Sequence, residues 1–187
     1  LDTRCRVDMK SALASPPIVD FAVVALASSP SMKLLALGMT NGAVEIWDLA
    51  SRTNLLFQAH SAPVLGLDFS PDSRQLVTAS EDHEVYLWNL TTLTRVASNR
   101  LDEVSDPFYG IYVRFSPRGD LVAVGSKQQL SIFRGTDLHR LRHFDNLSLF
   151  ESLRFSPDGR YLVSGHDGGG LILWDTHAWS RRSLPGH

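Results

Sequence analysis

At 187 residues, with 18 Lys and Arg against 20 Asp and Glu, the chain has a formal net charge of −2 and enough length to bury a sizeable core. The single Cys5 excludes a disulfide framework and a thiolate metal cage and suits a reducing compartment, and apolar runs such as "FAVVALASSP" are far too short to span a bilayer. The first 109 residues hold 8 Lys and Arg against 13 Asp and Glu and the rest hold 10 against 7, an asymmetry too mild for a phosphate-reading surface, so nucleic acid is not an expected partner.

In chain order, the opening residues show no basic start followed by a hydrophobic stretch, so no secretion leader is expected. "TRCRVDMKSAL" alternates Cys5, Val7 and Met9, as the last strands of a preceding repeat would. From there a period takes over. Ser-Pro recurs at Pro30, Pro71, Pro117 and Pro157, spaced 41, 46 and 40 residues apart. A second landmark follows each: "IWD", "LWN", "IFR" and "LWD", whose aromatic residues Trp47, Trp88, Phe133 and Trp174 are spaced 41, 45 and 41 apart. Two independent landmarks on one period mark an internal repeat, with units at about residues 19–59, 60–105, 106–145 and 146–186. Residues 1–18 are an N-terminal extension or the tail of an earlier unit, and 1–187 is one repeat region.

Each unit reads as four short strands. In the second, "VLGLDF" leads into the turn "SPDSR", where Pro71 presets φ and Asp72 can bond the local backbone. "QLVTAS", the turn "EDHE", "VYLWNL" and "TRVASNR" follow. The fourth unit repeats the plan in "LRFSPDGRYLVSGHDGGGLILWD", with Gly159 supplying positive φ in the turn. No stretch carries helical periodicity over ten or more residues. Strands apolar on both faces must be covered on both faces, which sheets stacked around an axis achieve.

The Ser-Pro turns, the Trp-Asp endings and the period resemble the WD40-repeat β-propeller family over about residues 19–187. The resemblance implies an all-β fold of four four-stranded blades, part of a larger propeller of about seven blades. In that family a Gly-His dipeptide opens each repeat. His60 lies 13 residues after Trp47 and His187 lies 13 after Trp174, so the terminal "PGH" is expected to open a further repeat. The family's structural network of Trp, Ser or Thr, His and Asp maps fully onto the second unit as Trp88, Thr78, His60 and Asp82. The first unit has Leu37 and Asn41 in place of the hydroxyl and carboxylate. The third has Ala123, Lys127 and Phe133. The fourth keeps Ser164 and Trp174 but has Gly168 at the carboxylate position and Asn146 at the histidine position.

No catalytic, cofactor-binding or metal-binding residue is expected. His60, Asp82 and Thr78 imitate a triad, but no strand-turn-helix elbow presents a nucleophile. His139 and His143 have metal spacing only on a helix, and "HDGGG" lacks the Lys and helix of a phosphate cradle. Arg134 alone does not make the paired arginines of phosphoinositide-binding propellers. First strands are mainly apolar, with Asp68, Arg114 and Arg154 as regular polar insertions, which counts against a channel active site. The expected function is therefore a non-enzymatic, intracellular (cytoplasmic or nuclear) scaffold that docks other proteins or peptides as a subunit of a multiprotein complex. The alternatives are the WD40 sensor portion of a multidomain signalling NTPase, or a propeller enzyme. Candidate partner-binding residues on the loop face are Phe108, Tyr109, His83 and His166.

Overall fold

A computed structural model describes residues 22–102 and 110–184, in which four antiparallel sheets each run as a meander in chain order. The first is β1 (Val23–Ser28), β2 (Leu34–Met39), β3 (Ala43–Asp48) and β4 (Thr53–Gln58). The second is β5 (Val64–Phe69), β6 (Gln75–Ser80), β7 (Glu84–Asn89) and β8 (Thr94–Arg100). The third is β9 (Ile111–Phe115), β10 (Leu121–Ser126), β11 (Gln129–Arg134) and β12 (Arg140–Phe144). The fourth is β13 (Phe150–Phe155), β14 (Tyr161–His166), β15 (Leu171–Asp175) and β16 (Arg181–Leu184), with a single 3-10 turn, Asp167–Gly169, between β14 and β15. No helix among the described residues is long and apolar enough to cross a membrane.

The Ser-Pro motif sets the first hairpin of every sheet through one local device. The serine hydroxyl accepts a backbone N–H from five residues on: Leu34 to Ser29 at 3.0 Å, Gln75 to Ser70 at 2.9 Å, Leu121 to Ser116 at 3.0 Å, and Tyr161 to Ser156 at 2.9 Å. In three turns that hydroxyl also donates to a nearby carboxylate, Asp72, Asp120 or Asp158, at 2.5–2.6 Å. The third residue after each serine takes positive φ: Met32 at 55°, Ser73 at 60°, and Gly119 and Gly159 at 74°. Only the last two turns place there the residue that adopts this conformation without steric cost.

Side chains alternate between the two faces of each sheet, and each face serves a different neighbour. On β6, Leu76 packs with Trp88 toward Ala36, Val44 and Phe57 of the first sheet. Val77 and Ala79 pack with Val85 and Leu87 toward Val113, Phe115 and Val122 of the third. On β10, Ala123 turns instead to Leu153, Leu162 and Trp174 of the fourth. The first strands β1, β5, β9 and β13 pack against one another in sequence and form the hub, and no comparable packing joins β13 back to β1 among the described residues. The hub is tight: a Cβ on Gly66 of β5 would lie 2.6 Å from the Ile111 carbonyl oxygen of β9, so only glycine permits this approach.

The two outer faces of the stack differ from the inner ones. Leu26 is 69% exposed, whereas Leu67, at the same place in the second sheet, is 3% exposed. At the other end Leu171 is 37% exposed, against 0% for the equivalent Val85. Among the described residues four blades stack, with an apolar face open at each end of the stack.

Candidate functional site

The connections that open the second and fourth blades and the turns between second and third strands lie on one side of the stack, opposite the Ser-Pro turns. In the second blade four side chains pin this side together. The Trp88 indole N–H donates to Thr78 Oγ1 at 2.9 Å. Thr78 Oγ1 lies 2.8 Å from His60 Nε2, and His60 Nδ1 lies 3.0 and 3.1 Å from the two Asp82 oxygens. A carboxylate only accepts, so His60 Nδ1 carries the proton, Nε2 accepts the threonine proton, and the threonine oxygen receives the indole proton. Every polar hydrogen of this four-residue relay is used with a neutral imidazole.

The electrostatics agree. Burial lowers the His60 pKa below its ordinary value of 6.5, outweighing the upward pull of Asp82. Burial would raise the Asp82 carboxyl, yet the Ser61 N–H, the His60 ring and the Glu84 N–H hold it below the usual range. Both backbone donors lie 3.0 Å from Asp82, so its ionised form needs no charged partner. Tyr86 stacks on the His60 ring at 4.4 Å and 11°. Because the folded-state pKa of His60 is depressed, its contribution to stability is complete above the unfolded value of 6.5 and is lost as pH falls through the folded one. Thermal melts between pH 7.5 and 5.5 should show wild type losing more stability than His60→Gln. Equal pH slopes would mean that the ring is not buried neutral.

The fourth blade reaches the same result by another route. Trp174 donates its indole N–H to Ser164 Oγ at 2.9 Å, and Ser164 Oγ lies 2.8 Å from His166 Nε2. His166 Nδ1 then lies 2.8 Å from the Ser148 carbonyl oxygen, which takes the role of the carboxylate. His166, expected on the docking face, is 3% exposed, because as the second residue after Ser164 on one strand it shares the face that packs inward. Asn146, aligned with the histidine position, is exposed, and Asp167 instead accepts the Leu149 N–H at 3.1 Å.

The other two blades lack the relay. In the first, Asn41 accepts the N–H of Ala43 at 3.0 Å, and the Trp47 indole has no hydrogen bond among the described residues. In the third, Phe133 is fully buried, and a different pair crosses the outer strands. His143 on β12 lies opposite Ser131 on β11, with Nδ1 3.0 Å from Ser131 Oγ and Nε2 2.7 Å from Asp145. His139 therefore precedes β12 and His143 lies within it, not on a helical face, and no group of three or more potential metal ligands occurs among the described residues. Arg134 bonds Asp137 at 2.9 Å.

Of the remaining loop-face candidates, His83 is half-buried at the tip of the β6–β7 turn with φ of 70°. Phe108 and Tyr109 lie outside the described residues. Neighbouring blades are also tied on this side. The Gln58 amide donates to the carbonyls of Asn41 and His60 at 2.8 and 2.7 Å, and the Phe150 N–H donates to Lys127 O at 3.1 Å.

The family model for "WD domain, G-beta repeat" matches residues 51–89 and 137–175. Each match runs from the outer strand of one blade through three strands of the next, and the two end on the relay blades of Trp88 and Trp174. The chain is 32% identical over 111 residues to Protein SOF1 of Saccharomyces cerevisiae, covering 58% of this chain and 22% of that protein. It is 29% identical over 147 residues to Transcription initiation factor TFIID subunit 5 of Caenorhabditis elegans, covering 76% of this chain and 22% of that protein. It is 31% identical over 150 residues to the U3 small nucleolar RNA-associated protein 15 homolog of Xenopus laevis, covering 76% and 27%. The chain thus matches about a quarter of the length of these relatives. With two repeat matches seated on four stacked four-stranded blades, the chain belongs to the WD40-repeat family.

Proposed function

We propose that the chain is part of a non-enzymatic, intracellular WD40 scaffold that docks peptides or subunits of a larger complex on its loop face. One observation carries the reading: two loops of that face are held by internal hydrogen bonds, with Ser61 and His60 fixed on Asp82 and Leu149 fixed on Asp167. A surface whose loops are ordered before binding loses little entropy when a partner arrives. That one relative is named as a subunit of a transcription initiation factor supports the same reading. The open faces around Leu26 and Leu171 support placing these blades in a larger ring, since the equivalent positions inside the stack are sealed by a neighbouring blade.

Docking centres on His83, with Phe108 and Tyr109 in the connection between the second and third blades. Replacing Phe108 and Tyr109 together by Ser, and separately His83 by Ala, should leave the circular dichroism unchanged. Quantitative capture with mass spectrometry should then show the loss of at least one partner that wild type retains. Intact fold with unchanged capture of every partner contradicts the docking face.

A further inference from the structure

The hub carries a line of charge that neither the relays nor the loop face uses. Ala27, Asp68, Arg114 and Arg154 hold the same place in β1, β5, β9 and β13, opposite Ala36, Val77, Ala123 and Val163 of the adjoining strands. Asp68, Arg114 and Arg154 each lie two residues before the serine of a Ser-Pro turn, at the end of the hub away from the loop face. Because β5, β9 and β13 pack side by side, the three charges reach one level.

The carboxylate is already engaged. Asp68 Oδ1 accepts the Phe69 N–H at 3.1 Å, and Oδ2 accepts the Phe115 N–H of the next blade at 2.8 Å. Asp68 makes no ion pair with either arginine among the described residues. The arginines have donors to spare. Arg114 is half-buried; its Nη1 donates to the Val113 carbonyl at 2.6 Å, and its Nε is buried with no partner among the described residues. Arg154 is exposed and makes neither a hydrogen bond nor an ion pair among the described residues. Burial lowers the Arg114 pKa, Asp68 opposes that shift, and the charge of Arg154 adds to it, so the two guanidinium groups feel each other. Two cations face one carboxylate whose oxygens already hold backbone donors. This cluster has one positive charge in excess and an unfilled buried N–H.

We propose that Arg114 and Arg154 form an oxyanion site at the hub between the third and fourth blades, taking a phosphate or carboxylate group. The guanidinium fork matches the spacing of two oxygens on either group, and an anion between Arg114 and Arg154 would separate the two like charges. Asp68 positions β9 through the Phe115 N–H and weakens the site by its own charge.

Calorimetric titration of the full chain with inorganic phosphate, and separately with acetate, tests this at constant ionic strength set by chloride. Saturable binding of at least one of the two is expected. Arg154→Ala should weaken it about tenfold or more through loss of one charged donor pair. Arg114→Lys, which keeps the charge but removes Nε and the fork, should weaken it comparably. Asp68→Asn keeps an oxygen for the Phe115 N–H and removes the competing charge, so it should tighten binding, a change that a purely structural role would not produce. Circular dichroism establishes that each variant is folded. No saturable binding of either anion overturns the proposal, as does an affinity that Arg154→Ala leaves unchanged.

Discussion

Replacing Thr78 by Val should lower the free energy of unfolding by about 2–4 kcal/mol, although the two side chains have nearly the same shape. The hydroxyl is the only group between two buried rings, 2.8 Å from His60 Nε2 and 2.9 Å from Trp88 Nε1. Without it, one ring loses its donor and the other its acceptor. Each buried group left unsatisfied costs about 1–3 kcal/mol. The loss extends to the loop, because His60 unfastened from Thr78 no longer holds Asp82 against the Ser61 N–H. Urea melts would show the midpoint falling with the slope unchanged. Asp82→Ala removes one link and leaves Thr78 between its rings, so it should cost less, about 1–3 kcal/mol. A loss under about 1 kcal/mol for Thr78→Val would mean that the relay contributes little to the blade.

Ser164→Ala should cost the fourth blade a similar amount, about 2–4 kcal/mol. It strands the fully buried Trp174 indole and the nearly buried His166 ring, both of which meet at Ser164 Oγ. Asn146→Gly is the decisive comparison. Asn146 occupies the position that the family pattern gives to histidine, and glycine accommodates its φ of 56°. If His166 supplies the relay, removing the exposed Asn146 side chain should change stability by no more than about 0.5 kcal/mol. Comparable losses from both variants would return the histidine's role to position 146.

The blades were legible in the sequence because their turns are local. A serine and a proline define each first hairpin, with an acid a few residues on in three of the four, and the hydroxyl that accepts the fifth N–H needs nothing from elsewhere in the chain. The second-blade residues were legible for the same reason that a fixed pattern is: all four stand at the family's positions. The fourth blade hid its histidine because the relay needs only an imidazole near Ser164, and a residue two places along the same strand meets that need as well as a loop residue does. The signal was present in "SGH", a hydroxyl and an imidazole two apart on one strand face. His139 and His143 have metal spacing only on a helix, and the partner His143 does take, Ser131, sits across a strand pair that spacing alone does not reveal. Asp68 was read as a polar insertion. Its bond to the Phe115 N–H depends on how closely two hub strands approach, which a single glycine at position 66 allows.

Two relays, one ending on a carboxylate and one on a carbonyl, fasten the loop face of the second and fourth blades. Hydrogen exchange of the four indole N–H protons, followed by NMR, tests this most directly. The protons of Trp88 and Trp174 are donated to buried hydroxyls at 2.9 Å, whereas those of Trp47 and Trp179 have no hydrogen bond among the described residues. Slow exchange is expected for the first two, accelerated at Trp88 alone by Thr78→Val and at Trp174 alone by Ser164→Ala, and rapid exchange for the other two. Four indoles exchanging at one common rate, or a Trp174 proton indifferent to Ser164→Ala, would contradict it.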